Sequence, residues 1–190
     1  GEPGWADEEP LDVLLVDPGM FTAPYDAALS RGLEHAGVRP HWATRALRPG
    51  EEDALNGHSR AALFYPWTDG PRRRTGRAAR LLKGIEHGLG MHTLARRAAR
   101  ADIVHFQWLL LPLIDAAAMR RIRRHRPLVL TVHDTTPFNG KAVSAAQRRG
   151  FRAALSIPDR LIVHTRKGKA LLAEAGIDPA RIAVVPHGPP

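Results

Sequence analysis

The stretch LVLTVHD at 128–134 sets five apolar or β-branched residues in a row before a histidine and an aspartate. It does not alternate between apolar and polar positions, so it fits a strand buried on both faces, as in a parallel sheet covered by helices. DIVHFQW at 102–108 and RLIVHT at 160–165 have the same shape, and both also contain a histidine behind an apolar run. Further out lie LDVLLVD (11–17), VRPHWAT (38–44), ALFYP (62–66) and RIAVVP (181–186). Seven such runs are separated by stretches of helical character.

In PYDAALSRGLEHAG, Ala28, Leu29 and Leu33 recur at helical spacing before Gly37; in KGKALLAEAG, Leu171, Leu172 and Ala175 do so before Gly176. Both glycines read as helix C-caps. Thr75 to Arg100, Leu113 to His125 and Ala142 to Leu155 carry similar amphipathic signals, which supply the crossovers that parallel strands require. The predicted fold is α/β: a Rossmann-like, doubly wound, mainly parallel sheet with helices on both faces. Residues 1–10 read as a tail, 11–186 as the domain, and 187–190 as the start of a linker, since PHGPP makes a stiff, extended exit. The segments 45–60 and 66–76, rich in Gly, Pro and charge, read as surface connections.

The chain has 190 residues, 44% hydrophobic and 25% charged, with no cysteine. Its mean hydropathy is -0.27. These values fit a soluble globular domain and exclude a disordered chain or a membrane-embedded bundle. No disulfide, thiolate nucleophile or cysteine-based zinc site can be built, and the acidic start GEPGWADEEP does not resemble a signal peptide. A cytoplasmic location is expected. The formal charge is +9, and the excess base is almost all arginine, concentrated at 72–100 and in MRRIRRHR at 119–126. From Arg72 to Arg100 there are nine bases and one acid, Glu86. These clusters read as solvated helix faces or, if functional, as a surface for anionic lipid headgroups; few aromatics interleave with them, so nucleic acid is not expected.

The histidines of IVH, TVH and IVH, namely His105, His133 and His164, are the most informative residues. Ligands of open α/β sheets bind beyond the carboxyl ends of the strands, where all three imidazoles are expected to fall. Singly, each could bond a loop carbonyl; together they point to a polar crevice. Zinc held by one histidine per strand is a further option, but no local pair spacing supports it and no metal is expected. The polar segment DTTPFNGKAV at 134–143 and the turn DPGMF at 17–21, with Gly19, suit hydroxyl-rich or phosphorylated ligands. No phosphate-binding G-x-x-x-x-G-K-[ST] loop, dinucleotide fingerprint, Asp-x-Asp pair or G-x-S-x-G elbow is present, and GLG at 88–90 is read as following a helix.

Taken in order, LDVLLVDPGMFTAPYDAAL, ADIVHFQW, LVLTVHDTTPF and DRLIVHTRKGKALLAEAGIDPARIAVVPHG resemble the N-terminal, acceptor-side domain of family 4 glycosyltransferases with the GT-B fold. The resemblance implies a retaining, metal-independent transfer of a hexose from a nucleotide-sugar to a sugar or lipid-linked acceptor hydroxyl. It implies a second domain, absent here, that holds the donor and carries a Glu-x7-Glu motif; no two glutamates of this chain have that spacing. The isolated domain is expected to be inactive. His133 matches the histidine that faces the transferred sugar, and Gly19 the glycine loop near the diphosphate, although Met20 stands where the family often has a second glycine. Tyr25, His105, Gln107, Trp108, Asp134 and Lys141 are the candidate acceptor contacts, and His164 and Thr165 line the cleft. No other cofactor is implied. The alternatives are half of a GT-B sugar-nucleotide epimerase, or a non-catalytic module that binds a polyanion or a partner.

Overall fold

The computed structural model describes residues 9–55, 57–69, 76–134 and 145–187. Among them the chain order is β1 (Asp12–Asp17), α1 (Ala23–His35), β2 (Arg39–Arg45), β3 (Ser59–Phe64), α2 (Arg77–Arg97), β4 (Ile103–Phe106), α3 (Pro112–Arg123), β5 (Leu128–Thr131), α4 (Ala145–Ser156), β6 (Arg160–Val163), α5 (Arg166–Glu174) and β7 (Ile182–Val184). The strands form one sheet in the order β3-β2-β1-β4-β5-β6-β7, and every neighbouring pair is parallel. The order reverses between β1 and β4, which is where a doubly wound sheet opens a crevice. The first eight residues of the expected tail and residues 188–190 of the expected linker lie outside the described residues.

Both faces of the sheet are covered, but unequally. Leu14, Val16, Phe106, Leu130 and Val163 point into a large core with Met91, Leu94, Met119, Ile122 and Leu155, contributed by α2, α3 and α4. Val13, Leu15 and Trp42 point the other way, into a smaller core closed by Met20, Leu55 and the α1 residues Ala27, Leu29 and Leu33. The alternation explains why both parities of β1 are apolar. Burying each such side chain contributes roughly 1.5–3 kcal/mol. Trp42 is anchored as well as buried: its Nε1–H donates to Ser30 Oγ at 2.7 Å, and Ser30 Oγ donates to the Asp26 carbonyl at 3.0 Å.

Both C-cap expectations agree with the backbone. Gly37 and Gly176 have φ of +76° and +92°. Val38 N–H reaches back to the Leu33 carbonyl at 2.9 Å, and Ile177 N–H to the Leu172 carbonyl at 3.0 Å.

Two expectations are corrected. The GLG at 88–90 does not follow a helix but lies within α2, with Gly90 buried against β3. A Cβ there would stand 2.4 Å from Phe64 Cδ1 and 3.0 Å from the Leu63 carbonyl, so the glycine lets α2 sit close on the strand. The segment 45–60 is also more than a surface connection. Arg45 ends β2 with 2% exposure, and Leu55 is equally enclosed at 3%. The Arg45 guanidinium holds Glu51 in a two-point contact, 2.7 Å on each side, and its Nε–H donates to the Gly19 carbonyl at 3.1 Å. That pairing holds the Glu51 carboxyl down near 2.

Gly90→Ala should therefore destabilise the domain by ~1–3 kcal/mol through overpacking, despite alanine's better helix propensity. Gly88→Ala, where an added Cβ meets nothing within 4 Å, should leave stability unchanged or raise it. Urea unfolding of the two variants against the parent measures both.

Candidate functional site

Because every strand runs the same way, the residues that follow β1, β4, β5, β6 and β7 share one rim. Backbone bonds carry the strands up to it: Gln107 N–H donates to the Val16 carbonyl at 2.9 Å, Val132 N–H to Ile162 at 2.8 Å, and Val185 N–H to Val163 at 2.8 Å. His133 stands two residues beyond β5, His164 one beyond β6 and His187 three beyond β7. Adjacent strands lie about 4.8 Å apart, so these rings are driven together.

The rings form one cluster. The Trp108 ring stacks on His133 with centroids 4.7 Å apart and planes 15° apart. Tyr25, in the first turn of α1, stands almost perpendicular to His133, His164 and His187, at 5.0, 5.5 and 5.3 Å. His133 Nε2 lies 3.3 Å from Gln107 Oε1, and His133 Nδ1 lies 3.2 Å from His164 Nε2. His164 Nδ1–H donates to the Val185 carbonyl at 2.9 Å. Trp108 Nε1–H donates to Thr22 Oγ1 at 3.2 Å, which ties the cluster to the β1–α1 turn. Burial, then the neighbouring imidazoles His164 and His187, press the His133 pKa down to about 4. Burial also lowers that of His164. His133 is thus a neutral donor or acceptor at neutral pH, facing a recess of ≈ 90 Å³ bounded by Gln107, Trp108, Val132 and Asp134.

The β1–α1 turn beside the cluster is held by buried carboxyls. Asp17 Oδ1 accepts from Gly19 N–H at 3.2 Å, and Asp26 Oδ1 from Thr22 Oγ1 at 3.2 Å. The second oxygens, Asp17 Oδ2 and Asp26 Oδ2, are buried with no other partner. Two buried carboxyls in contact share a proton. Burial, reinforced by Asp17, raises the Asp26 carboxyl to about 9, and burial raises Asp17 as well. Met20 holds φ +51°, a conformation that glycine adopts freely and other residues rarely do. The position after Gly19 is therefore one where a glycine would relieve strain. At Gly19 itself a Cβ would meet the Phe21 ring at 2.3 Å.

The rim gathers Tyr25, Gln107, Trp108, His133 and His164, with Gly19 beside them and exposed Asp134 next in the chain. Gln107 is fully enclosed. His105 is a correction: β4 runs on to Phe106, so this histidine lies within the sheet at 7% exposure, its Nε2 against Thr131 Oγ1 at 2.7 Å. Burial drives its pKa to about 3. Thr165 serves as the N-cap of α5, accepting from Gly168 N–H at 2.9 Å. Lys141 lies outside the described residues. Sequence reasoning passed over His187, Asp17, Asp26, Thr22 and Arg45. His187 could have been found as the histidine after the last apolar run.

Two other features compete for the role of site. Tyr65, His87 and Asp115 form a chain, with Tyr65 Oη 2.7 Å from His87 Nδ1 and His87 Nε2 2.5 Å from Asp115 Oδ1. All three are buried, so the chain fastens the end of β3 and helices α2 and α3 without meeting solvent. A groove of ≈ 270 Å³ runs past Asp12, His41, Ser59 and Arg100, but at the rim where the strands begin. Ligands of open parallel sheets bind at the opposite end.

The model of Glycosyltransferase Family 4 matches residues 26–189. No curated protein sequence matches the chain. Among solved structures, HepE of Anabaena in complex with UDP and glucose superposes with a TM-score of 0.63 at 14% identity, over 94% of this chain and 45% of HepE. A sucrose-phosphate synthase chain of Thermosynechococcus elongatus gives 0.60 at 15% identity, over 93% of this chain and 89% of that one. A UDP-N-acetylglucosamine 2-epimerase homologue of Listeria monocytogenes gives 0.58 at 15% identity, over 92% of this chain and 45% of that one. This chain thus spans a little under half the length of HepE and of the epimerase homologue.

The shared proton sets a pH dependence. Between about 4, where a free aspartate titrates, and about 9, the native state holds a proton that the unfolded chain has released, so this pair makes stability fall as pH rises. The slope is at most about 1.4 kcal/mol per unit. Asp26→Asn, which keeps the contact without the titration, should flatten that slope. Urea midpoints at pH 5, 7 and 9 for parent and variant give the comparison.

Proposed function

The chain belongs to glycosyltransferase family 4, and from that premise we propose that it is the acceptor-side domain of a retaining hexosyltransferase whose nucleotide-sugar donor is held by a second domain. The observation that carries the reading is the convergence of Tyr25, Trp108, His133 and His164 at the carboxyl ends of adjacent strands in a family 4 sheet. Aromatic rings offer the apolar faces of a sugar a flat surface, while Gln107, Asp134 and the imidazoles offer hydroxyl partners. In the reaction an acceptor hydroxyl oxygen bonds to the anomeric carbon, the bond from that carbon to the nucleotide diphosphate breaks, and the hydroxyl proton passes to an oxygen of the departing diphosphate. His133, neutral and braced between Trp108 and Gln107, faces the transferred sugar. The Gly19 turn lies toward the leaving diphosphate, and Lys141 is a further acceptor contact. Positioning and charge stabilisation do this work without a metal.

The other proposed partner is an anionic membrane, at the cytoplasmic face. No described helix is long and apolar enough to cross a bilayer. The outer face of α2, however, exposes Leu81, Ile85 and Leu89 at four-residue spacing, 74%, 61% and 55% exposed. Exposed Arg77, Arg80, Arg96 and Arg97 accompany them. Glu86, the acid among these bases, is withdrawn into the protein, where it accepts from Trp67 N–H and from Thr68. An apolar stripe edged with bases suits the boundary of an anionic bilayer. The 119–126 cluster contributes less, since Arg123 pairs with Asp159 and Arg126 donates to the Ala99 carbonyl. Arg72, Arg73 and Arg74 lie outside the described residues.

An epimerase homologue with the same fold favours a second reading. Conversion of a UDP-sugar in the absence of any acceptor would establish it.

His133→Ala in the protein together with its donor domain should lower kcat/KM by ~100-fold or more; wild-type kcat/KM would overturn the assignment. Replacing Leu81, Ile85 and Leu89 together by serine should reduce co-sedimentation with vesicles rich in phosphatidylglycerol several-fold. Because these side chains are exposed, thermal stability should change little. Parent binding that is indifferent to the anionic lipid fraction would remove the membrane reading.

A further inference from the structure

We propose that His133, His164 and His187 form a binding site for one divalent transition-metal ion of the zinc type, open toward the cleft. Their ligand nitrogens all lie within 4.8 Å of one another. The His133 Nδ1 to His164 Nε2 separation of 3.2 Å is close to the roughly 3.3 Å between neighbouring ligands of a tetrahedral ion bound at 2.0–2.1 Å.

The hydrogen bonds on the far sides of the rings argue for an ion between them. A carbonyl only accepts, so His164 Nδ1 carries its proton toward Val185 and Nε2 is left with its lone pair. With Gln107 Oε1 accepting from His133 Nε2–H, His133 Nδ1 is likewise a bare lone pair. Two lone pairs 3.2 Å apart repel each other unless a cation lies between them. The outer bonds to a carbonyl and a carboxamide are of the kind that orients metal-binding imidazoles. The competing arrangement turns the Gln107 amide to donate and passes a proton through His133 to His164. That chain has no use for His187, whose ring centroid lies 3.7 Å from that of His164. Three imidazole nitrogens make a ligand set that late first-row divalent ions favour and that magnesium or calcium does not.

An ion held there takes the Nδ1 lone pair of His133, so metal binding and contact of His133 with a transferred sugar exclude one another. That consequence rests on the transferase reading given above; the site itself does not.

The test is calorimetric titration of the metal-free chain with zinc chloride alone at pH 7.5, with no sugar or nucleotide present, so that failure here leaves the transferase reading untouched. One ion per chain is expected. His187→Ala, on an exposed ring, should weaken binding at least ~10-fold, and His164→Ala should abolish saturable binding while circular dichroism stays unchanged. His92→Ala and His125→Ala, exposed elsewhere, should bind as the parent does. Absence of saturable binding, or binding unaltered by both His187→Ala and His164→Ala, would overturn the proposal.

Discussion

All seven described strands point the same way, and that directional constraint governs where chemistry sits in this protein. A parallel sheet sends every strand's carboxyl end to one rim, and short connections leave from it into helices. Apolar side chains stop there, while backbone and side-chain polar groups crowd in and must find partners. At the β1/β4 reversal, connections leave toward opposite faces and the rim opens. The turn after β1, Gln107 after β4 and the imidazoles after β5, β6 and β7 border that opening. No single motif creates the site; it is a consequence of strand direction and of which residues come next.

Held polar groups then fix the rim's shape. Asp17 and Asp26 share a proton under the Gly19 turn, and Arg45 reaches the same turn from β2. Each is costly to bury without a partner: Asp17 and Asp26 lean on Gly19 N–H, on Thr22 Oγ1 and on one another, and Arg45 on Glu51 and the Gly19 carbonyl. The Asp26 carboxyl stays largely uncharged at neutral pH, since ionising both carboxyls in a closed space costs more than retaining the proton. Arg45 behaves oppositely, because its charge is met by Glu51 at two points and two further donors reach the Gly19 and Ala46 carbonyls. The strained Met20 backbone persists between these anchors.

Much of this was legible in the sequence. Continuous apolar runs marked the strands, helical spacing marked the crossovers, and glycines after Ala36 and Ala175 marked where α1 and α5 end. Those signals are local, and local periodicity carries them. His105 was misplaced by a single step: IVH and IVHF look alike until the partner strand shows how far the ladder extends. His187 was passed over because its significance lies in two other strand ends, and Arg45 because a charged residue before a Gly/Pro-rich stretch reads as surface. Only assembly of the sheet reveals that Glu51 and Gly19 are waiting for it. The signal that singled out His133 was its place after a buried strand, and the same signal, applied to RIAVVPH, would have given His187.

The two-point contact between Arg45 and Glu51 turns part of an apparently free loop into a closed ring. From Arg45 to Glu51 the backbone and the ion pair together enclose six steps of chain. A ring that short has little slack, and its size is set by the reach of a guanidinium. The remainder, 52–58, is held at single points, by the seating of Leu55 and, next to β3, by His58, whose Nδ1 lies 2.9 Å from Glu34 Oε1. Insertions are inexpensive in open loops and disruptive in tight rings. The connection therefore has two tolerances to length: added residues after Glu51 would be absorbed at the surface, while a single residue added between Arg45 and Glu51 would pull the guanidinium off the Gly19 carbonyl and shift the turn at the mouth of the cleft.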